Sequence, residues 1–510
     1  MLMTRLRESY LYYLWSCLVL LYRESAVCRM LTAAGDWCER QIMDSAILRF
    51  LCRESALSRA WPESRLCRIL TAVVNVPSVL LHKLYKALET TFEDSFFSKL
   101  AFRIGEETAI AQSWGIMLLW VIPYYRWDNA NSLKLAALLL VLLHAGAMHD
   151  RAFRLDLKHI GIYPLVLFGA IGLGLVCSYA PGLSLRYFGY HVSAALSVLV
   201  TVSAVQAERD VKRLAAGGAF CVAVSGAYGI VQRIRGVEVN LSYVDVNVNP
   251  GMPGRVYSFF DNPNTFAEVL ILLLPLVLAL VICSKSLLGK LAALGTFAVG
   301  VAALGMTYSR ASWVGFAFAM VVFVILWKPR WVPAFGLLCI AAIPLLPSTI
   351  WNRILTITNT SDTSTSSRFP LYEAAIEVIK KSPVFGAGLG GAATQAYIRD
   401  YDLYHGTAPF VHAHNFYMQV WLEAGLLGIT SLLASLLWGI RRAAGAVRRS
   451  ADSAVRTLIC AGAASMCGIM VCGLADYPWH YPRVMCIFWF VFALMLAGVK
   501  VCLRETEKTP

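Results

Sequence analysis

The stretch FAEVLILLLPLVLALVIC, residues 266–283, decides the fold class. It carries a single ionisable side chain, Glu268, and lies between Asn262-Pro263-Asn264 and Ser284-Lys285-Ser286. As a helix rising 1.5 Å per residue, it spans most of the ~30 Å hydrocarbon core of a bilayer. Similar runs recur on both sides, at 110–125, 132–148, 160–180, 191–206, 213–232, 290–307, 311–327, 332–350, 416–440, 454–474 and 484–502. Together they make twelve candidate spans, the first being the weakest because it is short and broken by Pro123. The composition of the 510 residues agrees: 58% are hydrophobic, only 15% are charged, and the mean hydropathy is +0.61. Soluble domains carry about 25% charged residues, so a soluble multidomain enzyme, a disordered chain and a collagen-like repeat are all excluded. The expectation is an all-α polytopic membrane protein with about 12 transmembrane helices and a long outer loop between helices 9 and 10.

The net charge of +14 then has a reading that needs no nucleic acid. One set of breaks between the runs (149–159, 207–213, 284–290, 328–331, 441–456 and 500–510) holds 18 Lys/Arg in 56 residues, and the alternate set holds 12 in 126. The basic-rich set faces the cytoplasm in membrane proteins. This predicts a multi-pass membrane protein with both termini cytoplasmic and the long loops 233–265 and 351–415 outside.

Residues 1–109 differ from the rest. They balance 14 Lys/Arg against 12 Asp/Glu and repeat the pattern acid-Ser-x-x-x-base at Glu24-Ser25…Arg29, Asp44-Ser45…Arg49, Glu54-Ser55…Arg59, Glu63-Ser64…Arg68 and Asp94-Ser95…Lys99. Serine caps helix starts, and an acid before it suits the positive end of the helix dipole. The expectation is an arm of short amphipathic helices, cytoplasmic or on the membrane surface, before a membrane domain at 110–503 and a tail at 504–510. None of the fourteen cysteines forms a CxxC pair, and a disulfide framework or structural zinc site is not expected. A secretory signal is not expected either, because Leu11–Tyr22 is short and followed by Arg23-Glu24-Ser25.

The polar residues of the membrane domain gather in the two long loops and one tight turn. The first loop ends with Arg255 and Phe260-Asp261-Asn262-Pro263-Asn264, and the turn is Tyr308-Ser309-Arg310-Ala311. The second holds Arg368, then Ser382-Pro383-Val384-Phe385-Gly386-Ala387-Gly388, and closes with His412-Ala413-His414-Asn415 ahead of Glu423-Ala424-Gly425-Leu426-Leu427-Gly428. In this order the segments resemble the O-antigen ligase and O-antigen polymerase family of bacterial membrane glycosyltransferases, over roughly 160–500. The resemblance implies a C-type glycosyltransferase fold. It also implies transfer of a glycan from a polyprenyl pyrophosphate to a glycan, lipid or protein acceptor on the outer face of the membrane.

The residue types suit that chemistry. An acceptor hydroxyl needs a base near neutrality, which histidine supplies, and arginine binds phosphate oxygens with two parallel donors. His414 is the expected general base, with His412 as an alternative base, a helper or half of a metal pair. Arg255, Arg310 and Arg368 are expected to cradle the pyrophosphate. Asn262, Asn264 and Asn415 fit either helix caps or substrate ligands. The intramembrane acids Glu268 and Glu423 fit either substrate contacts or structural pairs. Asp476 and Arg483 bracket an aromatic loop suited to an interfacial belt or a sugar platform, and His480 within it lies outside the family motifs. Direct attack should invert the anomeric configuration, with no metal and no cofactor.

Two apparent motifs are rejected. Gly386-x-Gly388-x-x-Gly391 lacks the βαβ context of a dinucleotide site, and a glycine turn approaching a ligand is the simpler reading. Asp245-x-Asn247-x-Asn249 lacks the Gly and Glu of a calcium loop. A transporter or flippase of lipid-linked glycans is the competing class. Transporters bind at mid-membrane between repeats, whereas these polar groups lie to one side.

Overall fold

The computed structural model describes residues 10–96, 99–100, 154–240, 248, 251–260, 262–357, 366–406, 409–451 and 453–508, with isolated positions at 115, 134, 137, 140 and 141. The expected spans 110–125 and 132–148 and the Asp245-x-Asn247-x-Asn249 segment therefore lie outside the described residues. Among the described residues every regular element is helical. In chain order these are α1 (Tyr10–Glu24), α2 (Ala26–Met43), α3 (Ala46–Cys52), α4 (Ala56–Ala60), α5 (Arg65–Ala87), α6 (Glu89–Asp94), α7 (Leu157–Ile160), α8 (Ile162–Val176), α9 (Pro181–Ala204) and α10 (Glu208–Arg235). They continue with α11 (Pro263–Cys283), α12 (Leu287–Met306), α13 (Arg310–Trp327), α14 (Val332–Ala342), α15 (Ser348–Leu355), α16 (Arg368–Lys381), α17 (Gly390–Asp400), α18 (Phe416–Arg449), α19 (Ala454–Cys472) and α20 (Pro482–Lys508).

Nine of these helices are long and apolar enough to cross a membrane, and a tenth span arises if the segments Pro329–Leu345 and Ser348–Leu355 count as one. Three differences from the sequence reading concern the spans. α9 begins at Pro181 rather than 191, because its first two turns (PGLSLRYFGY) are too polar to register as apolar. Residues 181–190 are therefore helix and not a loop. α8 has only 15 residues. α5, inside the amphipathic arm, is itself long and apolar enough to cross. The described part of the long 351–415 segment includes two helices, α16 and α17.

The chain divides into two compact units, residues 1–51 with 324–346, and residues 52–323 with 347–510. In the first, Arg330 pairs with Asp36 at 3.0 Å. The repeated serines act as caps. The hydroxyls of Ser25, Ser45, Ser55 and Ser64 accept the backbone N–H three residues on, each at 3.1 Å. The N–H of the basic residue then closes the first helical turn on that serine's carbonyl. Such a cap stabilises a helix by about 1 kcal/mol.

In the second unit, residues 54–75 are built into the bundle rather than lying loose beside it. Trp438 donates to Ser58 Oγ at 2.8 Å, and Arg442 pairs with Glu54 at 3.0 Å. Buried Asn75 exchanges two hydrogen bonds with the backbone of Leu155, at 2.8 and 3.1 Å. The bundle core is α11, α19 and α20, whose facing side chains, from Phe266 to Val277 and Met485 to Leu496, are almost wholly buried.

One break in this bundle positions the site. Gly425 interrupts α18 with φ 68° and ψ −169°, a conformation essentially restricted to glycine. The freed Leu422 carbonyl accepts the Ala387 N–H at 2.6 Å, and the Leu426 N–H donates to Pro383 O at 2.9 Å. The Ser-Pro-x-x-Gly-x-Gly segment thus docks into the gap in the helix ladder, and a Cβ at Gly425 would lie 1.9 Å from Val384 O. The glycine turn approaches this chain's own backbone, where the sequence suggested a ligand. The two motifs are one structural unit.

Candidate active site

The helix N-termini at Pro263, Arg310, Arg368, Phe416 and Pro482 carry or adjoin the expected site residues. Their partial positive charges favour an anion nearby. A cleft of about 390 Å³ is lined by Arg255, Arg310, Arg353, Arg368, Asn264 and Asp476. It gathers all three arginines chosen from sequence and adds Arg353, which sequence reasoning missed.

Arg255 and Arg310 are held from behind by hydrogen bonds. Arg255 is buried, donates through Nε to Thr307 O at 2.7 Å, and bonds Asn264 Oδ1 through Nη2. Arg310 donates through Nη1 to Thr356 O at 2.5 Å. Arg368 opens α16, whose Leu371, Ala374, Ala375 and Val378 pack in one cluster with Phe410, Ala413 and Leu422. That cluster joins the arginine helix to the histidine segment. Tyr308, one residue from the Ser309-Arg310 pair, has φ 51°, unusual for a bulky side chain. Backbone strain of this kind costs about 1–3 kcal/mol, and the surrounding fold must impose it.

His414 sits beside this cleft. Its φ is 45°, its side chain is 33% exposed, and Nδ1 lies 3.4 Å from Asp476 Oδ1. That separation is longer than an aligned hydrogen bond, but catalytic contacts commonly tighten only when substrate is bound. Burial would raise the Asp476 carboxyl. The contact with His414, together with the nearby charges of His414 and Arg368, nevertheless holds it below the usual carboxylate range.

His412 is buried, and its Nδ1 accepts the backbone N–H of His414 at 3.2 Å. A neutral imidazole has one acceptor nitrogen, so this bond leaves the His412 proton on Nε2. Burial, reinforced by His414 and His480, pushes its pKa well below the ordinary value. His480 joins the row: its ring lies 4.6 Å from that of His412, which lies 4.0 Å from that of His414. Burial lowers its pKa to about 4. Nothing in the sequence linked His480 to His412, because the pairing exists only after folding.

The remaining expected residues divide by role. Asn262 caps α11 by accepting the Asn264 N–H at 2.8 Å. Asn415 caps α18 by accepting from Tyr417 and Met418, while its amide donates to Leu474 O at 3.0 Å. Both therefore act as caps, whereas Asn264 lines the cleft. Glu423 accepts from Gln419 at 2.6 Å and from the Tyr477 hydroxyl at 3.2 Å, bracing the loop that carries Asp476. Glu268 is buried within α11. Buried Arg483 donates to Phe259 O at 2.8 Å and stacks on Phe260 at 4.5 Å, pinning the Arg255 loop to the start of α20.

A protein of Haemophilus influenzae, itself described as uncharacterized, is 31% identical over 81 residues, which is 16% of this chain and 20% of that one. The chain thus spans about a fifth of that relative. Residues 295–433, from within α12 through the Tyr308-Ser309-Arg310 turn, Arg353, Arg368 and both histidines to the break in α18, match the family model described as O-antigen ligase. That matched segment, a little over a quarter of the chain, is similar to the family that the motifs of the whole membrane domain resemble.

Proposed function

We propose that this protein transfers or polymerises a glycan carried on a polyprenyl pyrophosphate, at the outer face of the cytoplasmic membrane of a bacterium. His414 is the general base. Arg255, Arg310, Arg353 and Arg368 hold the pyrophosphate, and Asp476 orients the base. The observation that carries this reading is the placement of His414 and its carboxylate partner against a cleft with four arginines.

His414 suits the role better than His412. With its Nδ1–H directed at Asp476, its Nε2 lone pair is left to take a proton, the arrangement that a carboxylate imposes on a catalytic histidine. In His412 the Nδ1 lone pair is already occupied by a backbone N–H. The acceptor oxygen bonds to the anomeric carbon as its proton passes to His414 Nε2. The bond from that carbon to the phosphate oxygen breaks, and polyprenyl pyrophosphate leaves with the electron pair. The arginines offset the negative charge that grows on that oxygen. Attack opposite the leaving group inverts the anomeric centre, and the arginines take the place that a metal ion fills in other pyrophosphate enzymes.

A mid-membrane transport site is disfavoured because the cleft is lined by helix ends and the loops joining them, not by the interrupted middles of paired spans. The test is glycan transfer in proteoliposomes: His414→Ala should abolish it with protein abundance and donor binding intact. Chelation should leave the rate unchanged, and a chelated enzyme restored by manganese would end the metal-independent reading. Mass spectrometry of surface glycans from a deletion strain separates the two family chemistries, because single repeat units mark a polymerase and unattached long chains a ligase.

A further inference from the structure

A second cavity, of about 210 Å³, lies at the other end of the histidine row. It is lined by Arg186, Tyr187, Tyr190, His480, Tyr481 and Arg483 and shares no lining residue with the arginine cleft. The row connects the two: Asp476 lines the first cleft, His414 lies against Asp476, His412 is next in the row, and His480 lines the second. An inverting displacement needs exactly such a pair of sites, because the nucleophile enters opposite the leaving group.

The chemistry of the lining indicates what it holds. The Tyr187 and Tyr190 rings meet edge to face at 5.5 Å, and Tyr481 packs edge-on to His480 at 4.7 Å. They offer apolar ring faces beside hydroxyls that pair with polar groups, which suits a sugar. Tyr187 is held against the glycine turn, since a Cβ at Gly390 would lie 2.0 Å from its ring. Two arginines and no carboxylate line the cavity. Arg483 is committed to Phe259 and Phe260, so its charge is fixed in place. Arg186 is exposed, and its Nε is aimed by the Tyr190 hydroxyl at 3.3 Å.

We propose that this cavity is the acceptor subsite and takes a sugar bearing an acidic substituent, a phosphate ester or a uronate carboxylate, paired with Arg186. The proposal rests on the transferase reading above. Reconstituted enzyme would be given a polyprenyl-pyrophosphate-linked glycan and three synthetic disaccharide acceptors, identical except for a neutral, phosphorylated or uronate sugar. The wild type should use one of the acidic acceptors with a KM at least tenfold below the neutral one, and the two acidic arms identify the anion. Arg186→Ala should raise that KM at least tenfold, the worth of one charge-assisted pair. It should move the donor KM and the KM for the neutral acceptor less than twofold. Tyr190→Phe, a milder change at the same site, should raise the acidic-acceptor KM about threefold, the worth of one weak hydrogen bond. Equal use of all three acceptors, an unchanged acidic-acceptor KM in Arg186→Ala, or an equal rise in donor KM would overturn the subsite. A wild type that consumes no donor with any acceptor would instead overturn the transferase reading, and this proposal with it.

Discussion

Asp476→Asn isolates the carboxylate's charge from its shape. Asp476 Oδ1 lies 3.4 Å from His414 Nδ1, and the histidine is 33% exposed. At an effective dielectric of 20, a full imidazolium charge formed at that distance would be worth roughly 5 kcal/mol; at 40, roughly half of that. Solvent on the exposed side of His414 favours the lower figure, about 2.5 kcal/mol, which is close to a hundredfold in rate. The amide also presents a donor where Nδ1–H needs an acceptor, adding a tautomer penalty in the same direction. Turnover of a fluorescent lipid-linked donor, measured in proteoliposomes under saturating acceptor, should therefore fall about 10²-fold or more, with donor KM within threefold of wild type. A kcat within threefold of wild type, or a loss seen wholly in donor KM, would refute the orienting role.

Other outcomes follow from the same geometry. Gly425→Ala forces a side chain into a glycine-only conformation against Val384 O at 1.9 Å; a loss of about 3 kcal/mol or more is expected, and an unchanged melting temperature in detergent would count against the docked break. Asn75→Ala leaves the buried N–H and C=O of Leu155 without their partners and should cost about 2–3 kcal/mol, measured as a lower midpoint in thermal unfolding. His480, with its pKa lowered from 6.5 to about 4, binds its proton more readily unfolded than folded. Its contribution to stability is therefore complete above pH 6.5 and is lost as pH falls through about 4. His480→Gln should flatten the melting-temperature profile across that window, and an identical profile would refute the assignment.

How much the sequence disclosed depended on the range of the signal. Apolar runs are local, so the spans from 263 to 327 and from 454 onward were located to within a few residues, whereas the helix expected over 416–440 runs on to Arg449 because its last turns are basic. The serine repeat is local too, and its capping role followed from chemistry alone. The first turns of α9 were missed because polar residues that line a cavity look like a loop to a hydropathy window, and Arg186 was lost with them. Arg353 and Arg368 lie in one long segment between apolar runs, but only the fold brings Arg353, buried on α15, to the cleft. Gly425 and the Pro383–Gly388 turn were both visible as motifs, yet that each completes the other's hydrogen bonds is a contact across about forty residues. The family motifs picked out the candidate arginines and histidines, and packing set Asp476 beside His414 and His480 beside His412.

The central claim is that His414 takes the acceptor's proton. The most direct measurement compares His414→Ala with His412→Ala in reconstituted membranes, following acceptor-dependent release of polyprenyl pyrophosphate under conditions where donor binding is verified separately. Removing a general base costs about 10²–10⁴ in rate, so His414→Ala should fall at least a hundredfold in kcat with donor affinity retained, while His412→Ala keeps measurable turnover. Wild-type turnover in His414→Ala would contradict the account, whichever way His412→Ala behaves.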